Sequence, residues 1–93
     1  MPKNYDEFLR EKLENPEFRK EYEALELRSQ LATQVIQLRQ KRGLTQVQLA
    51  ELVGTKQSGI SRLENMSELP SLSFLMRVAD VLQAKIEIRM ADK

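Results

Sequence analysis

The stretch LRQKRGLTQVQLAELVGTKQSGISRLEN, residues 38–65, decides the fold of this chain. Its first half is typical of a short helix, because Thr45 is followed by apolar residues at helical spacing. The hydroxyl of Thr45 can accept a hydrogen bond from the free N–H groups of that first turn. Gly54 follows the last apolar residue, Val53, where a left-handed backbone ends a helix and glycine adopts it at least cost. We predict a helix over residues 45–53 and a turn at Gly54.

The second half predicts another short helix with one apolar and one polar face. Ile60 and Leu63 share the apolar face, while the opposite face carries Lys56, Gln57, Ser58, Ser61 and Arg62. Glutamine can bond adenine bidentately in the major groove, and serine can contact bases or phosphates. The two helices and the turn therefore predict a helix-turn-helix whose second helix can read base edges.

The stretch resembles the lambda-repressor/Cro-type (XRE) helix-turn-helix family. The matching residues are Leu38, Arg39, residues 43–46, Leu49, Ala50, Gly54, Gln57, Ser58 and residues 60–64. The resemblance implies sequence-specific DNA binding by a transcriptional regulator and an Arg39–Glu64 pair within the fold. It also implies that Gln57 and Ser58 read bases, that Ser61 and Arg62 contact bases or backbone, and that Gln46 contacts a phosphate. Lys56 is expected to contact a phosphate as well, because it stands at a helix start, where side chain, backbone N–H groups and helix dipole can converge on one phosphate oxygen. The basic residues Arg39, Lys41 and Arg42 are expected to be solvated charges or ion-pair partners rather than specific contacts. Of the three, Arg42 is the one expected to reach the DNA backbone.

Three positions depart from the usual pattern or leave alternatives. Lys56 stands where a small polar cap is usual, so Thr55 is an alternative cap that would shift the helix by one residue. Gly59 costs about 1 kcal/mol relative to alanine inside a helix, and is either tolerated filler or a means of close approach to DNA. Asn65 is expected to adopt the left-handed conformation that ends the second helix.

Composition argues against an enzyme. The chain of 93 residues, the size of one domain, contains no cysteine and no histidine, so the commonest metal ligand and general base are missing. We predict no catalytic residue, no metal site and no cofactor. A long apolar run and an export leader are also missing, which predicts a cytoplasmic protein without a membrane partner.

Charge and aromatic residues set the front of the chain apart. Residues 1–30 carry eight acidic and six basic residues, whereas residues 31–93 carry nine basic and six acidic. Two helices are predicted at the front, the second of which starts at Asn15-Pro16 and continues to Gly43 with a possible bend near Arg28. The aromatic residues Tyr5, Phe8, Phe18 and Tyr22 lie on these helices.

The end of the chain predicts a buried helix and then a strand. Pro70-Ser71 precedes an apolar stripe with helical spacing that begins at Leu72. In residues 85–90, Ile86, Ile88 and Met90 alternate with charged residues, as in a strand with one apolar face. Since a lone strand cannot satisfy its backbone groups, we expect antiparallel pairing with the same strand of a second copy. This predicts a homodimer.

The aromatic front, the helix-turn-helix and the final alternating strand together resemble HigA-like antitoxins of bacterial toxin–antitoxin pairs. On this resemblance the four front aromatic residues bind a small basic toxin, a ribonuclease, and the protein represses its own operon. Two alternatives remain open: the aromatic residues merely enlarge the core, and the chain is a stand-alone or phage-type XRE regulator with no toxin partner.

The predicted fold is therefore all-α with one strand. It comprises a five-helix lambda-repressor-like helix-turn-helix domain with an N-terminal helical extension and a C-terminal β-strand that pairs across a dimer. Residues 1–30 form the extension and candidate toxin-binding region, residues 31–84 the DNA-binding domain, and residues 85–93 the dimerisation strand and tail. The predicted partners are a double-stranded DNA operator, a second copy and the toxin.

Overall fold

The computed structural model describes residues 4–92, and five helices account for most of them. In chain order they are α1 (Tyr5–Leu13), α2 (Pro16–Lys41), α3 (Gln46–Val53), α4 (Gln57–Glu64) and α5 (Leu72–Val81). The prediction of an all-helical domain with five helices is confirmed. The molecule is elongated, with extents of 52 × 29 × 21 Å.

The first two helices begin at asparagine caps. The side chain of Asn4 accepts a hydrogen bond from the N–H of Glu7 at 2.8 Å, and that of Asn15 accepts one from the N–H of Glu17 at 3.0 Å. Pro16 follows as the first residue of α2, where its missing N–H removes no helical bond. The helix then continues for 26 residues without a break. Residues 16–41 therefore form one helix that joins the acidic front to the helix-turn-helix.

The hydrophobic core lies at the other end of α2. Its fully buried side chains include Leu49 of α3, Ile60 of α4, Val78 of α5 and Leu82, which directly follows α5. Val35 of α2 closes the cluster. No residue of α1 is buried, and Tyr5 and Phe8 are 72% and 50% exposed. Tyr5 and Phe8 thus do not enlarge the core, and Phe18 and Tyr22 are half-buried but do not belong to the core cluster.

Residues 84–92 form neither helix nor strand in the single chain. The strand predicted for residues 85–90 is not supported, because among residues 4–92 no other segment is a strand that could supply its backbone hydrogen bonds. Ile88 and Met90 are left 68% and 94% exposed. The end of the chain therefore presents apolar side chains to solvent.

Candidate nucleic-acid interface

The start and end of α3 are fixed by local hydrogen bonds. The Thr45 hydroxyl accepts a bond from the N–H of Gln48 at 3.1 Å, and the Gln48 side-chain oxygen accepts one from the N–H of Thr45 at 2.9 Å. At the other end Gly54 has φ +82°, and its N–H donates to the Ala50 carbonyl at 2.9 Å. The predicted cap and the predicted left-handed glycine are both confirmed. They set the turn between α3 and α4.

The start of α4 lacks a side-chain cap. Lys56 is the N-cap residue and its side chain makes no capping hydrogen bond, so the alternative in which Thr55 caps the helix is wrong. The N–H groups of the first turn, which include those of Gln57 and Ser58, have no side-chain acceptor from the cap. Such a helix start favours an anion, because the free N–H groups and the helix dipole both present positive charge.

The two faces of α4 differ sharply in exposure. Ile60 and Leu63 are 0% and 4% exposed and pack into the core. Of the residues predicted to contact DNA from α4, Gln57, Ser58 and Arg62 are exposed, and Ser61 is half-buried beside them. The structure therefore brings these four side chains together on the outer side of a firmly seated helix.

Arg62 is engaged with its own helix. Its Nε donates to the Ser58 carbonyl at 3.2 Å and its Nη2 to the Ser58 hydroxyl at 3.4 Å. Nη1 lies 3.9 Å from the Glu68 carboxylate in an ion pair whose side chains are both more than half exposed. These contacts hold the guanidinium against the surface of α4.

Gly59 is explained by packing within the motif. A Cβ atom at this position would lie 2.9 Å from the Thr55 hydroxyl oxygen and 3.8 Å from the Phe74 ring. The first distance is too short for real Cβ contacts, so the Thr55 side chain would have to move. Glycine here makes room for Thr55, which is neither of the two explanations predicted from sequence.

A partly buried ion pair joins α2 to the end of α4, as the family resemblance predicts for Arg39 and Glu64. Arg39 donates from Nε to Glu64 Oε2 at 2.7 Å and from Nη2 to Oε1 at 2.9 Å. The Arg39 and Glu64 side chains are only 15% and 5% exposed. Gln46 Nε2 also donates to Glu64 Oε1, at 3.0 Å. The first residue of α3 is therefore held by the same carboxylate.

The Arg42 guanidinium, predicted to reach the DNA backbone, is hydrogen-bonded to the end of α5. Its Nε donates to the Leu82 carbonyl at 2.9 Å and its Nη2 to the Gln83 carbonyl at 3.5 Å. These contacts cross forty positions of sequence, so no local pattern could have shown them. Arg42 thus joins the end of α2 to the end of α5.

The left-handed residue after α4 is Met66, with φ +66°, so the prediction of Asn65 is wrong by one position. Asn65 has φ −97° and uses its side chain instead. Its Oδ1 accepts a hydrogen bond from the N–H of Ser67 at 3.0 Å. An asparagine that satisfies a later N–H with its side chain has no need of the left-handed conformation itself.

The front aromatic residues form a partly exposed surface on α1 and α2. The Phe18 and Tyr22 rings stack with centroids 6.3 Å apart, and the Lys12 ammonium lies 5.4 Å from the centre of the Phe8 ring. The neighbouring Glu26 carboxylate raises the pKa of Tyr22. We call the four residues Tyr5, Phe8, Phe18 and Tyr22 the aromatic surface.

A groove of about 770 Å³ lies between α2, α5 and the end of the chain. Its apolar lining includes Leu27, Leu31, Leu72, Leu75, Ile86 and Ile88. Leu27 and Leu72 are 53% and 52% exposed, so two of the helical walls are also open to solvent. Ile86 and Ile88, two of the three residues predicted to mediate dimerisation, therefore adjoin an apolar surface of the helices.

Residues 4–92 contain no group of three or more side chains that could hold a metal ion. No helix in that range is both long enough and apolar enough to cross a membrane, α2 included.

Comparison with known families identifies the motif. The family model of the helix-turn-helix (HTH_3) matches residues 35–88, more than half of the chain. The chain belongs to this helix-turn-helix family. It has the fold of DNA-binding transcriptional regulators. A comparison with the curated proteins gave no significant match.

Solved structures similar to this helix-turn-helix protein support the family assignment. A Vibrio cholerae HTH_3 family transcriptional regulator is 29% identical with a TM-score of 0.63, over 67% of this chain and 35% of that chain. This helix-turn-helix protein thus spans about a third of that regulator. HipB in a complex with an O2 20mer is 31% identical with a TM-score of 0.60, over 70% of this chain and 90% of that one. A structure described as MDT protein gives the same identity and TM-score, over 70% and 92%.

Proposed function

We propose that this protein is a sequence-specific transcriptional repressor that binds a pseudo-palindromic operator as a homodimer. The observation that carries the proposal is the outer face of α4, where Gln57, Ser58, Ser61 and Arg62 lie together above the buried Ile60 and Leu63. Gln57 and Ser58 read bases, and Ser61 and Arg62 contact bases or backbone. When it is bound to a promoter, such a protein blocks transcription. Its proposed location is the cytoplasm.

Phosphate contacts belong to the starts of the two motif helices. Gln46 is the first residue of α3 and Lys56 precedes the uncapped first turn of α4. One N–H of Gln46 Nε2 is bonded to Glu64, and the other remains to donate to a phosphate. Arg42 is the weakest member of the predicted DNA-binding set, because its guanidinium donates to α5.

The homodimer forms by antiparallel pairing of residues 85–90 from two copies. Ile88 and Met90 are largely exposed in the single chain, and Ile86 and Ile88 border the apolar groove. Pairing would satisfy the backbone groups of this segment and cover those side chains. The two copies of α4 would then enter successive major grooves about 34 to 36 Å apart.

We further propose that the protein is the antitoxin of a toxin–antitoxin pair, neutralises a small basic ribonuclease toxin and represses its own operon. Support comes from the aromatic surface, where Tyr5 and Phe8 remain exposed on the acidic part of the chain. An acidic apolar surface suits a basic partner. Similarity to HipB adds weight. On this proposal residues 1–30 bind the toxin, residues 31–84 bind DNA and residues 85–93 form the dimer.

Base reading is tested with Gln57→Ala on an operator selected from random DNA by the wild-type protein. Affinity for that operator should fall by about 1 to 3 kcal/mol, while affinity for random DNA stays nearly unchanged. Gln37→Ala, the same change on an exposed position of α2, is the control. Equal losses on operator and random DNA would refute a base-reading role for Gln57.

The antitoxin function is tested through the neighbouring reading frame. Expression of that frame should arrest growth, co-expression of this protein should restore it, and the two proteins should copurify. The double variant Tyr5→Ala/Phe8→Ala should lose the rescue yet keep operator binding, because both side chains lie outside the core. A neighbouring frame without toxicity, or a rescue unaffected by the double variant, would favour the stand-alone regulator.

A further inference from the structure

Arg42 makes its contacts at the place where the chain leaves the last helix. It is the C-cap residue of α2, and its own N–H donates to the Leu38 carbonyl at 3.0 Å. Its guanidinium donates to the carbonyls of Leu82 and Gln83, at 2.9 and 3.5 Å. The carbonyls at a helix C-terminus carry partial negative charge. An arginine there both donates hydrogen bonds to these carbonyls and places a positive charge at the negative end of the helix dipole. One side chain thus joins the ends of α2 and α5.

The backbone reverses at these same residues. Leu82 is only 1% exposed and holds the end of α5 in the core. Gln83 has φ +55°, a left-handed conformation that costs a side-chain-bearing residue energy, and the N–H of Ala84 returns to the Ala79 carbonyl at 2.8 Å. The chain beyond Ala84 has no regular structure of its own. Its direction is therefore set at residues 82–84.

We propose that Arg42 is a positioning residue for operator binding, which fixes the direction in which residues 84–92 leave α5 and hence the spacing of the two α4 helices in the dimer. The inference rests on the proposed dimerisation through residues 85–90. A change of angle at residue 83 displaces a partner copy attached several residues further on. Arg42 is also followed directly by Gly43 at φ +70°, which leads into α3. It therefore couples the DNA-binding motif to the dimer segment.

The rival role is a direct phosphate contact. For that role the guanidinium would have to give up the bonds from Nε and Nη2 to α5 or use its remaining N–H donors. The two roles differ in what they change. A phosphate contact acts on each half-site separately, whereas a positioning residue acts only when two half-sites are bound together.

The experiment compares Arg42→Ala with Lys41→Ala, which removes the same charge from the adjacent exposed position. Binding is measured on the selected operator, on a duplex with a single half-site, and on operators whose half-sites are one base pair closer or further apart. For Arg42→Ala we expect full-operator affinity to fall about tenfold and half-site affinity to change by less than about twofold. The preference for one spacing should weaken. Lys41→Ala should keep the wild-type spacing preference.

A loss of affinity on the half-site, with about twice that free-energy loss on the full operator and a salt slope smaller by about 0.9 per half-site, would identify a phosphate contact and overturn the proposal. An unchanged spacing preference would overturn it as well. Arg42→Ala is also combined with Ile88→Asp in the full chain. If the dimer segment mediates the effect, Arg42→Ala should add no loss there, and a full additional loss would show that Arg42 acts within the domain. Urea unfolding of each variant checks that it is folded.

Failure of the underlying dimer gives a different result. If the wild-type protein binds a half-site and a full operator equally well and shows no spacing preference, the proposed homodimer is wrong and the role of Arg42 falls with it.

Discussion

The guanidinium of Arg39 donates two hydrogen bonds to the Glu64 carboxylate, from Nε to Oε2 at 2.7 Å and from Nη2 to Oε1 at 2.9 Å. Arg39 Nη1 donates in addition to the Leu44 carbonyl at 2.9 Å. The hydrogen bond that Arg39 donates to the Glu64 carboxylate raises the pKa of the guanidinium. The pair holds α2, the turn before α3 and the end of α4 in one arrangement.

Removal of one partner of this pair should destabilise the fold strongly. We expect Glu64→Leu to lower the free energy of unfolding by about 3 to 5 kcal/mol, because the Arg39 charge would stay largely buried without a partner. Arg39→Met/Glu64→Leu should lose much less, since neither charge remains. Urea unfolding measures both. Glu68→Ala, in the exposed pair with Arg62, is the control and should change stability by less than about 1 kcal/mol. Similar losses for Glu64→Leu and Glu68→Ala would contradict a buried, tightly coupled pair.

Gly59→Ala should reveal the contact with Thr55. Alanine is favoured over glycine inside a helix by about 1 kcal/mol, but its Cβ would lie 2.9 Å from the Thr55 hydroxyl oxygen. In the wild-type background we expect this gain to be cancelled or reversed. In a Thr55→Ala background the clash is gone and Gly59→Ala should stabilise by about 0.5 to 1 kcal/mol. The four stabilities from urea unfolding give the coupling, and a coupling of zero would show that Thr55 does not restrict position 59.

Met66→Gly should stabilise the protein. The left-handed backbone at φ +66° costs a residue with a Cβ about 1 to 2 kcal/mol, and glycine avoids this strain at a smaller cost in chain entropy. We expect a net gain of about 0.5 to 1 kcal/mol in the free energy of unfolding. Met66→Ala keeps the strain and removes the same side-chain atoms beyond Cβ, so it is the matched control. If both variants lose stability equally, the side chain and not the backbone conformation decides this position.

Deletion of residues 85–93 should produce a monomer with unchanged helices. All five helices end by Val81, so far-UV circular dichroism per helical residue should stay the same. Sedimentation should show loss of the dimer, and operator affinity should fall with it. Ile88→Asp in the full chain should act in the same direction, because it places a charge in the apolar face of the pairing strand. A truncated chain that still sediments as a dimer would rule out pairing through this segment.

Local sequence signals predicted the helix-turn-helix well because short-range physics determines it. The Thr45 cap, the Gly54 turn and the apolar faces of α3 and α4 each depend on residues within a few positions. The Arg39–Glu64 pair was predicted from family resemblance, not from spacing.

Contacts between distant segments could not be predicted in the same way. Arg42 contacts Leu82 only because the ends of α2 and α5 lie side by side, forty positions apart in the sequence. The left-handed residue is Met66 and not the predicted Asn65, because the Asn65 side chain accepts a hydrogen bond from the N–H of Ser67. The segment 85–90 has strand periodicity, but strand formation requires a partner strand, and residues 4–92 of the single chain supply none.

The absence of buried residues in α1 makes α1 less resistant to proteolysis than the helix-turn-helix. A helix with no buried side chain can open while the rest of the chain stays folded, so a protease can cut there without global unfolding. The cluster around Leu49 and Ile60 must unfold as a unit before α3 or α4 is cut. In a cell, we therefore expect proteolysis to remove α1, with Tyr5 and Phe8, before it cuts the helix-turn-helix, which leaves a shortened chain that has lost part of the aromatic surface.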